Sequence, residues 1–313
     1  MFVLRWVPSL LLLFKCWGVA LSWRASSLAF PRPHHFTCAH CNEPLANEWT
    51  EYEDRKYHPS CYRQFVQTKC DVCQQGLDGA WFVSDPWGNN AHTHHGNEPT
   101  ASCSCCQRII SKETSNGGRR FPDGRIICGI CQTSSVTKGG QIPTALHRVL
   151  NDLQQVMTVQ GFQGRIDVHL ANREELTIRA QGAGCAHGNF HGLTTTTRIT
   201  TDIVVMEHEI TLLHGLPDLQ FRGVLAHELL HVWLNEAGLQ PPMDLMEGFC
   251  NLGSHAVYIK APPKDREFAT VLLEQMEQDP DPVYGDGYRT MKAILQRQGW
   301  QGVFRKIMSY QRR

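Results

Sequence analysis

No stretch of this 313-residue chain carries an apolar run long enough to cross a bilayer. The nearest approach, Val7 to Phe14, falls far short of the roughly 20 residues that a spanning helix needs. Nor is there any surplus of charge: 30 Lys and Arg stand against 30 Asp and Glu, which excludes overall steering toward nucleic acid or an anionic membrane. A phosphate-binding glycine loop is missing too. The basic residues of the N-terminal half (Lys112, Arg119, Arg120, Arg125) are scattered, without the aromatic interleaving of a nucleic-acid surface. What is present in excess is metal-ligand chemistry, with 13 Cys and 16 His.

The first residues read two ways. Arg5, the apolar run and Ala20-Leu21-Ser22 resemble a signal peptide with its cleavage site, whereas Lys15 and Cys16 interrupt the run. Many reduced thiols suit the cytoplasm better than an oxidising compartment. The expectation is a cytoplasmic protein with no stable membrane span, secretion being the alternative if residues 1–22 act as a signal peptide. Residues 1–31 are set aside as an extension.

Nine cysteines fall in Cys-x2-Cys or His-x2-Cys pairs between Cys38 and Cys131. Cys38 and Cys41 are followed after sixteen residues by His58 and Cys61; Cys70 and Cys73 after eighteen by His92 and His95; Cys103 and Cys106 after twenty-one by Cys128 and Cys131. Two ligand pairs separated by a short hairpin-forming stretch are what a closed tetrahedral zinc site requires, and three in tandem leave little to chance. Four protein ligands leave no open position, so these sites predict structural zinc in β-rich fingers, a double finger over 32–100 and a third module over 101–137. In the second quartet His94 competes with His95. Cys105 has no partner in the scheme and reads as a spare thiol at the finger's edge.

Polar, glycine-containing residues 134–141 mark a boundary, and 138–313 read as an α+β domain. Pro143 to Val159 has helical apolar spacing, Arg165 to Leu170 alternates like a strand, Glu175 to Arg179 reads as another short strand, and Thr194 to Leu213 as one or two more. Lys264 to Gln278 and Gly287 to Gln298 read as helices that cover the back of the domain and carry no chemistry. Between them stands RGVLAHELLHVWLNEAGLQPPMDLMEGFCN, residues 222–251. His227 and His231, four apart, share one face of a helix and can hold one zinc ion, with Glu228 placed to act on water at the metal. Gly238 and Pro241-Pro242 end that helix, and a second apolar stretch begins at Met243. Antiparallel packing of the two brings Glu247 in as third metal ligand. A mixed sheet followed by this helix is the order of a zincin domain. The strand just before the helix is the expected edge for pairing with an extended substrate.

LIM-type finger spacing, Lys69-Cys70-Asp71-Val72-Cys73, His214-Gly215-Leu216-Pro217, Leu225 to Trp233 and Glu247-Gly248-Phe249-Cys250 together resemble the DA-type LIM-domain peptidases, over about Cys38 to His255. Plant members are described as ubiquitin-activated zinc peptidases that restrict organ growth. The resemblance implies a zincin-like (gluzincin) metallopeptidase fold and an active site at His227, Glu228 and His231. The family has Glu-Glu-Gly where this chain has Met246-Glu247-Gly248, and Cys-x2-His where it has His92 and His95. The plant proteins carry acidic ubiquitin-interacting helices ahead of the fingers. None is present in this sequence, so the resemblance implies a protein partner for the fingers without implying ubiquitin.

The resulting expectation is a zinc endopeptidase of protein substrates with one catalytic and about three structural zinc ions. Glu228 is its general base, and an oxyanion donor comes from His255 first, then Tyr258, His187 or His191. Cys185 is a candidate fourth ligand that would silence the site. The competing class is a zinc-stabilised adaptor with an inactive zincin domain, and a third is a nucleic-acid-binding finger protein, which the balanced charge disfavours.

Overall fold

The computed structural model describes residues 36–77, 81–157, 162–183, 191–200 and 204–310. The N-terminal segment weighed as a signal peptide lies outside them, as do Asp78-Gly79, Cys185 and His187. The architecture is mixed helix and small sheet, with Cys/His clusters able to bind zinc. Two compact units divide at Val66 and Gln67.

The first unit holds a single finger, a hairpin of Thr50–Tyr52 with Arg55–Tyr57 followed by the short helix Pro59–Cys61. Its core is small: Cys38, Leu45 and Tyr57. Among the described residues this core is too small to offset much chain entropy, and a metal held by the Cys/His quartet would add a cross-link to it.

The second unit carries the other two fingers and the C-terminal domain. The fingers repeat one backbone device. In each, the first cysteine's carbonyl accepts from the amide four residues on (Asn42, Gln74, Gln107), and that residue takes a left-handed conformation with φ of 61°, 61° and 62°. The chain thereby turns both cysteines of each pair to the same point. The third finger shares its core with the C-terminal domain: Cys103, Phe121, Ile127 and Val136 pack in one cluster with Leu216, Leu225 and Leu229. Its exit segment is sewn to the residues ahead of the helix that carries His227 and His231 by Val136 N–H to the Leu216 carbonyl (2.9 Å) and Gly215 N–H to the Val136 carbonyl (2.7 Å).

The C-terminal domain runs α1 (Ile142–Met157), β1 (Arg165–Ala171), α2 (Arg173–Gly182), β2 (Gly192–Thr200), β3 (Val204–Leu213), α3 (Asp218–Glu236), α4 (Met243–Ile259), α5 (Arg266–Gln278) and α6 (Gly285–Met308). α2 corrects the short strand expected at Glu175 to Arg179. The Asn172 side chain accepts from the Glu175 amide while the Glu175 carboxylate accepts from the Asn172 amide, a reciprocal cap that starts a helix and buries Leu176 and Ala180.

The strand order is β2-β3-β1, with β3 antiparallel to β2 and parallel to β1. The strand before the metal helix, expected at an edge, is therefore central. β1 occupies its other side, and the edge beside the helices is β2.

α3 and α4 form the centre. Leu225, Ala226, Leu229 and Leu230 of α3 and Phe249, Leu252 and Val257 of α4 are fully buried. α6 covers the back of α4 at a crossing only glycine permits: a Cβ on Gly248 would stand 2.2 Å from the Gly287 carbonyl oxygen. The glycine after Glu247 thus lets α6 press α4 against α3, which holds Glu247 in line with the histidines.

Candidate metal centre

Three side chains from two helices converge. The Nε2 atoms of His227 and His231 lie 3.1 Å apart, and Glu247 Oε2 stands 3.1 Å from the first and 3.4 Å from the second. A tetrahedral zinc with bonds of about 2.0–2.1 Å separates its nitrogen and oxygen ligands by about 3.3–3.4 Å, so this triangle has the size of one face of such a site. Glu247 is 8% exposed, and its Oε2 makes no hydrogen bond of acceptable geometry among the described residues. A buried anionic oxygen aimed at two imidazole nitrogens and otherwise unsatisfied is what a cation would complete, so the donor set fits zinc. Burial opposes ionisation of Glu247, but the two facing imidazoles outweigh it and hold the carboxyl well below the usual carboxylate range.

The orientation of His227 is fixed from behind. His227 Nδ1 donates to Asn251 Oδ1 at 2.9 Å, and the Asn251 amide in turn donates to the Tyr284 carbonyl at 3.2 Å. With its proton committed to Asn251, the His227 ring presents Nε2 as a lone pair. Glu228, 5% exposed, points from α3 toward β2, where Thr194 donates its hydroxyl to Oε2 at 2.7 Å. Gly192 at the start of that strand makes room, since a Cβ there would sit 2.4 Å from Glu228 Oε1.

Cys250 is a further donor. Its buried thiol lies with the histidine nitrogens in a group whose ligand atoms are all within 4.8 Å of one another. Burial, with the charges of Glu247 and Glu228, pushes this thiol well up, which favours the protonated form. His255 does not join the cluster. It is hydrogen-bonded to the Tyr288 hydroxyl on α6 at 2.9 Å, and burial and Lys292 hold its pKa down to about 4. The cavity into which His227 opens is lined instead by His191, Asn251 and Tyr258, and by residues of α5 and the turn after it. Burial and the Arg173 and Arg125 charges hold His191 down to about 4.

The finger quartets also close on themselves. Cys41 and Cys61 Sγ stand 3.4 and 3.9 Å from His58 Nδ1; Cys70 Sγ is 3.2 Å from His95 Nε2 and Cys73 Sγ 3.5 Å from His92 Nδ1; Cys106 and Cys128 Sγ are 3.7 Å apart. Zinc–sulfur bonds of about 2.3 Å predict edges of about 3.6–3.8 Å. Each quartet (Cys38, Cys41, His58, Cys61; Cys70, Cys73, His92, His95; Cys103, Cys106, Cys128, Cys131) has four donors within 4.8 Å of one another. His95 joins the second, whereas His94 is exposed and contacts Thr93. Cys105 is not at an edge: it is buried in the shared core.

A DA1-like family model, described as Protein DA1, matches residues 170–261, the segment from β1's end through α4. Protein DA1 of Arabidopsis thaliana is 23% identical over 337 residues, covering 88% of this chain and 62% of its own length. LIM domain-containing protein HDR3 of Oryza sativa subsp. japonica is 23% identical, covering 85% and 66%, and Protein DA1-related 1 of Arabidopsis thaliana 24%, covering 82% and 57%. The chain is similar to the DA-type LIM-domain proteins, and the DA1-like family model covers its segment 170–261. The chain spans about three fifths of the length of these relatives. No solved structure matches it.

Three contacts at this candidate site were not anticipated from the sequence: Thr194 with Glu228, Asn251 with His227, and Cys250 beside both histidines. A signal existed for two of them. Cys250 and Asn251 follow Glu247 by three and four residues, and so share its helix face. Thr194 depends on strand register, which no local pattern reveals.

Proposed function

We propose that this chain is a zinc-dependent endopeptidase of protein substrates, built on a zincin-like C-terminal domain, with the three quartets as structural zinc sites that hold a protein-binding surface. The reading rests on one observation above the others: His227, His231 and Glu247 meet on a zinc-sized triangle while Glu228 is held beside it by Thr194. Zinc held there supplies Lewis acidity to polarise a carbonyl and to acidify water. Glu228 accepts the proton of the attacking water and returns it to the leaving amine. Thr194 fixes the position of that carboxylate, and Asn251 keeps His227 Nε2 free for the metal. The outer edge of β2 runs past Glu228, and an extended substrate would pair with it. The oxyanion donor falls to His191 or Tyr258, the candidates that face the cavity. The thiol-rich fingers favour the cytoplasm.

A second reading has its own support. If Cys250 ligates together with the two histidines and Glu247, the fourth corner is closed and the protein is an adaptor. Metal analysis with mutation separates the two. Purified protein should hold four zinc ions, with one lost in His231→Ala and none lost in Cys250→Ser. Loss of that ion in Cys250→Ser would favour the adaptor.

A further inference from the structure

Beside the metal triangle lies a cavity of about 470 Å³. His227 forms one wall, and Val224 of α3 with Leu272 and Met276 of α5 give it apolar sides. The rest of the lining is largely polar, with both donors and acceptors. Gln220 of α3, 5% exposed, lines the cavity with an Oε1 that has no hydrogen-bond partner among the described residues. Gln275 of α5 lines it as well, with a buried Nε2 equally unpartnered. Asp279 and Asp281 complete the rim, and no Lys or Arg is among the lining residues. Beside the carboxylates, Arg289 is committed to the Asp286 carboxylate and to the carbonyls of Glu277 and Asp279, while the charges of Arg173, Arg125 and Arg222 act on His191 and Tyr258 elsewhere in the lining.

A buried amide oxygen left unsatisfied costs roughly 1–3 kcal/mol unless a ligand donates to it. Apolar walls beside such an acceptor and two carboxylates suit a side chain with a methylene stem and a cationic, donor-rich head. An acidic side chain would meet like charge, and a purely apolar one would leave Gln220 unpaired. We propose that this cavity is a specificity pocket for a substrate arginine or lysine adjoining the cleaved bond. The proposal rests on the peptidase reading given above. His227 is both a cavity wall and a corner of the metal triangle, so a residue next to the bond cleaved there is the one whose side chain enters.

The test uses the zinc-loaded full chain and a peptide library in which arginine, lysine, norleucine, glutamine and glutamate are scanned through each position. Cleavage should favour arginine or lysine at one position flanking the bond by about tenfold or more over norleucine. That ratio should collapse in Asp279→Asn/Asp281→Asn, whose amides keep the turn hydrogen bonds, and Asp279→Lys should shift the preference toward glutamate. Cleavage indifferent to charge at both flanking positions overturns the pocket while the peptidase stands. If the parent cleaves nothing, the peptidase reading falls. The pocket is then decided by fluorescence anisotropy of the same peptides on Glu228→Gln: tighter binding of arginine than norleucine peptides supports it, and equal affinities overturn it.

Discussion

Thr194, on the edge strand β2, donates its hydroxyl to Glu228 Oε2 at 2.7 Å and so ties the sheet to α3 at the residue proposed as general base. The same hydroxyl reaches the Glu228 carbonyl at 3.1 Å. Positioning of this kind works on rate and not on metal. Thr194→Val should lower kcat by about 10–100-fold with zinc content unchanged, and Thr194→Ser should restore most of it. Equal activity in Thr194→Val would mean that Glu228 needs no anchor.

Gly192 offers the complementary perturbation. A Cβ added there meets the end of the Glu228 side chain, which can swing aside, so Gly192→Ala should fold normally with Glu228 displaced. Activity should fall by at least about tenfold while melting temperature and zinc stoichiometry stay near those of the parent. Loss of folding instead would show that the strand itself cannot take a side chain.

Asn251 bears on the orientation of His227. Removing the acceptor for His227 Nδ1 frees the imidazole to rotate and change tautomer, so Asn251→Ala should weaken zinc affinity by about 10–100-fold in competition with a chelator. Unaltered affinity would contradict the role given to this amide.

How much of this was legible in the sequence divides along physical lines. Local spacing pointed to the side chains that the fold brings together, His227 and His231 on one helix face, Glu247 on the next helix, and the finger pairs, because each depends only on a few residues of regular geometry. Strand order depended on pairing between distant segments, so the placement of β3 in the middle of the sheet was invisible. The Glu175 segment looked strand-like until its cap with Asn172 is counted. The helices α5 and α6 were read as mere cover, yet α5 forms a cavity wall and α6 positions α4 through Gly287. His255 was placed at the site because it lies two turns beyond Glu247 on one helix face, whereas its ring is hydrogen-bonded to Tyr288 of α6.

That contact has a pH signature. The His255 pKa is held down to about 4 from an ordinary 6.5, so the unfolded chain takes up the proton before the folded one does. The contribution is present in full above about pH 6.5 and is lost progressively as pH falls toward 4. Replacing His255 by Gln should flatten this part of the acid-unfolding profile relative to the parent, and should change kcat by less than about twofold. A large drop in kcat would return His255 to the chemistry.

The quartets differ in what they support. The third shares the main core, so Cys128→Ser should lower the stability of the whole second unit by several kcal/mol, of the order expected when a structural metal is lost. Cys38→Ser lies in the unit ending at Val66 and should leave the melting of the second unit unchanged. Identical effects, read by urea unfolding with tryptophan fluorescence, would contradict this division.

The most direct measurement compares new protein termini generated in a proteome by the parent and by Glu228→Gln, both first shown to carry the same zinc content. Peptidase activity at the triangle of His227, His231 and Glu247 predicts a set of termini present with the parent and absent with the variant. The same termini from both proteins, or none from either, would contradict it.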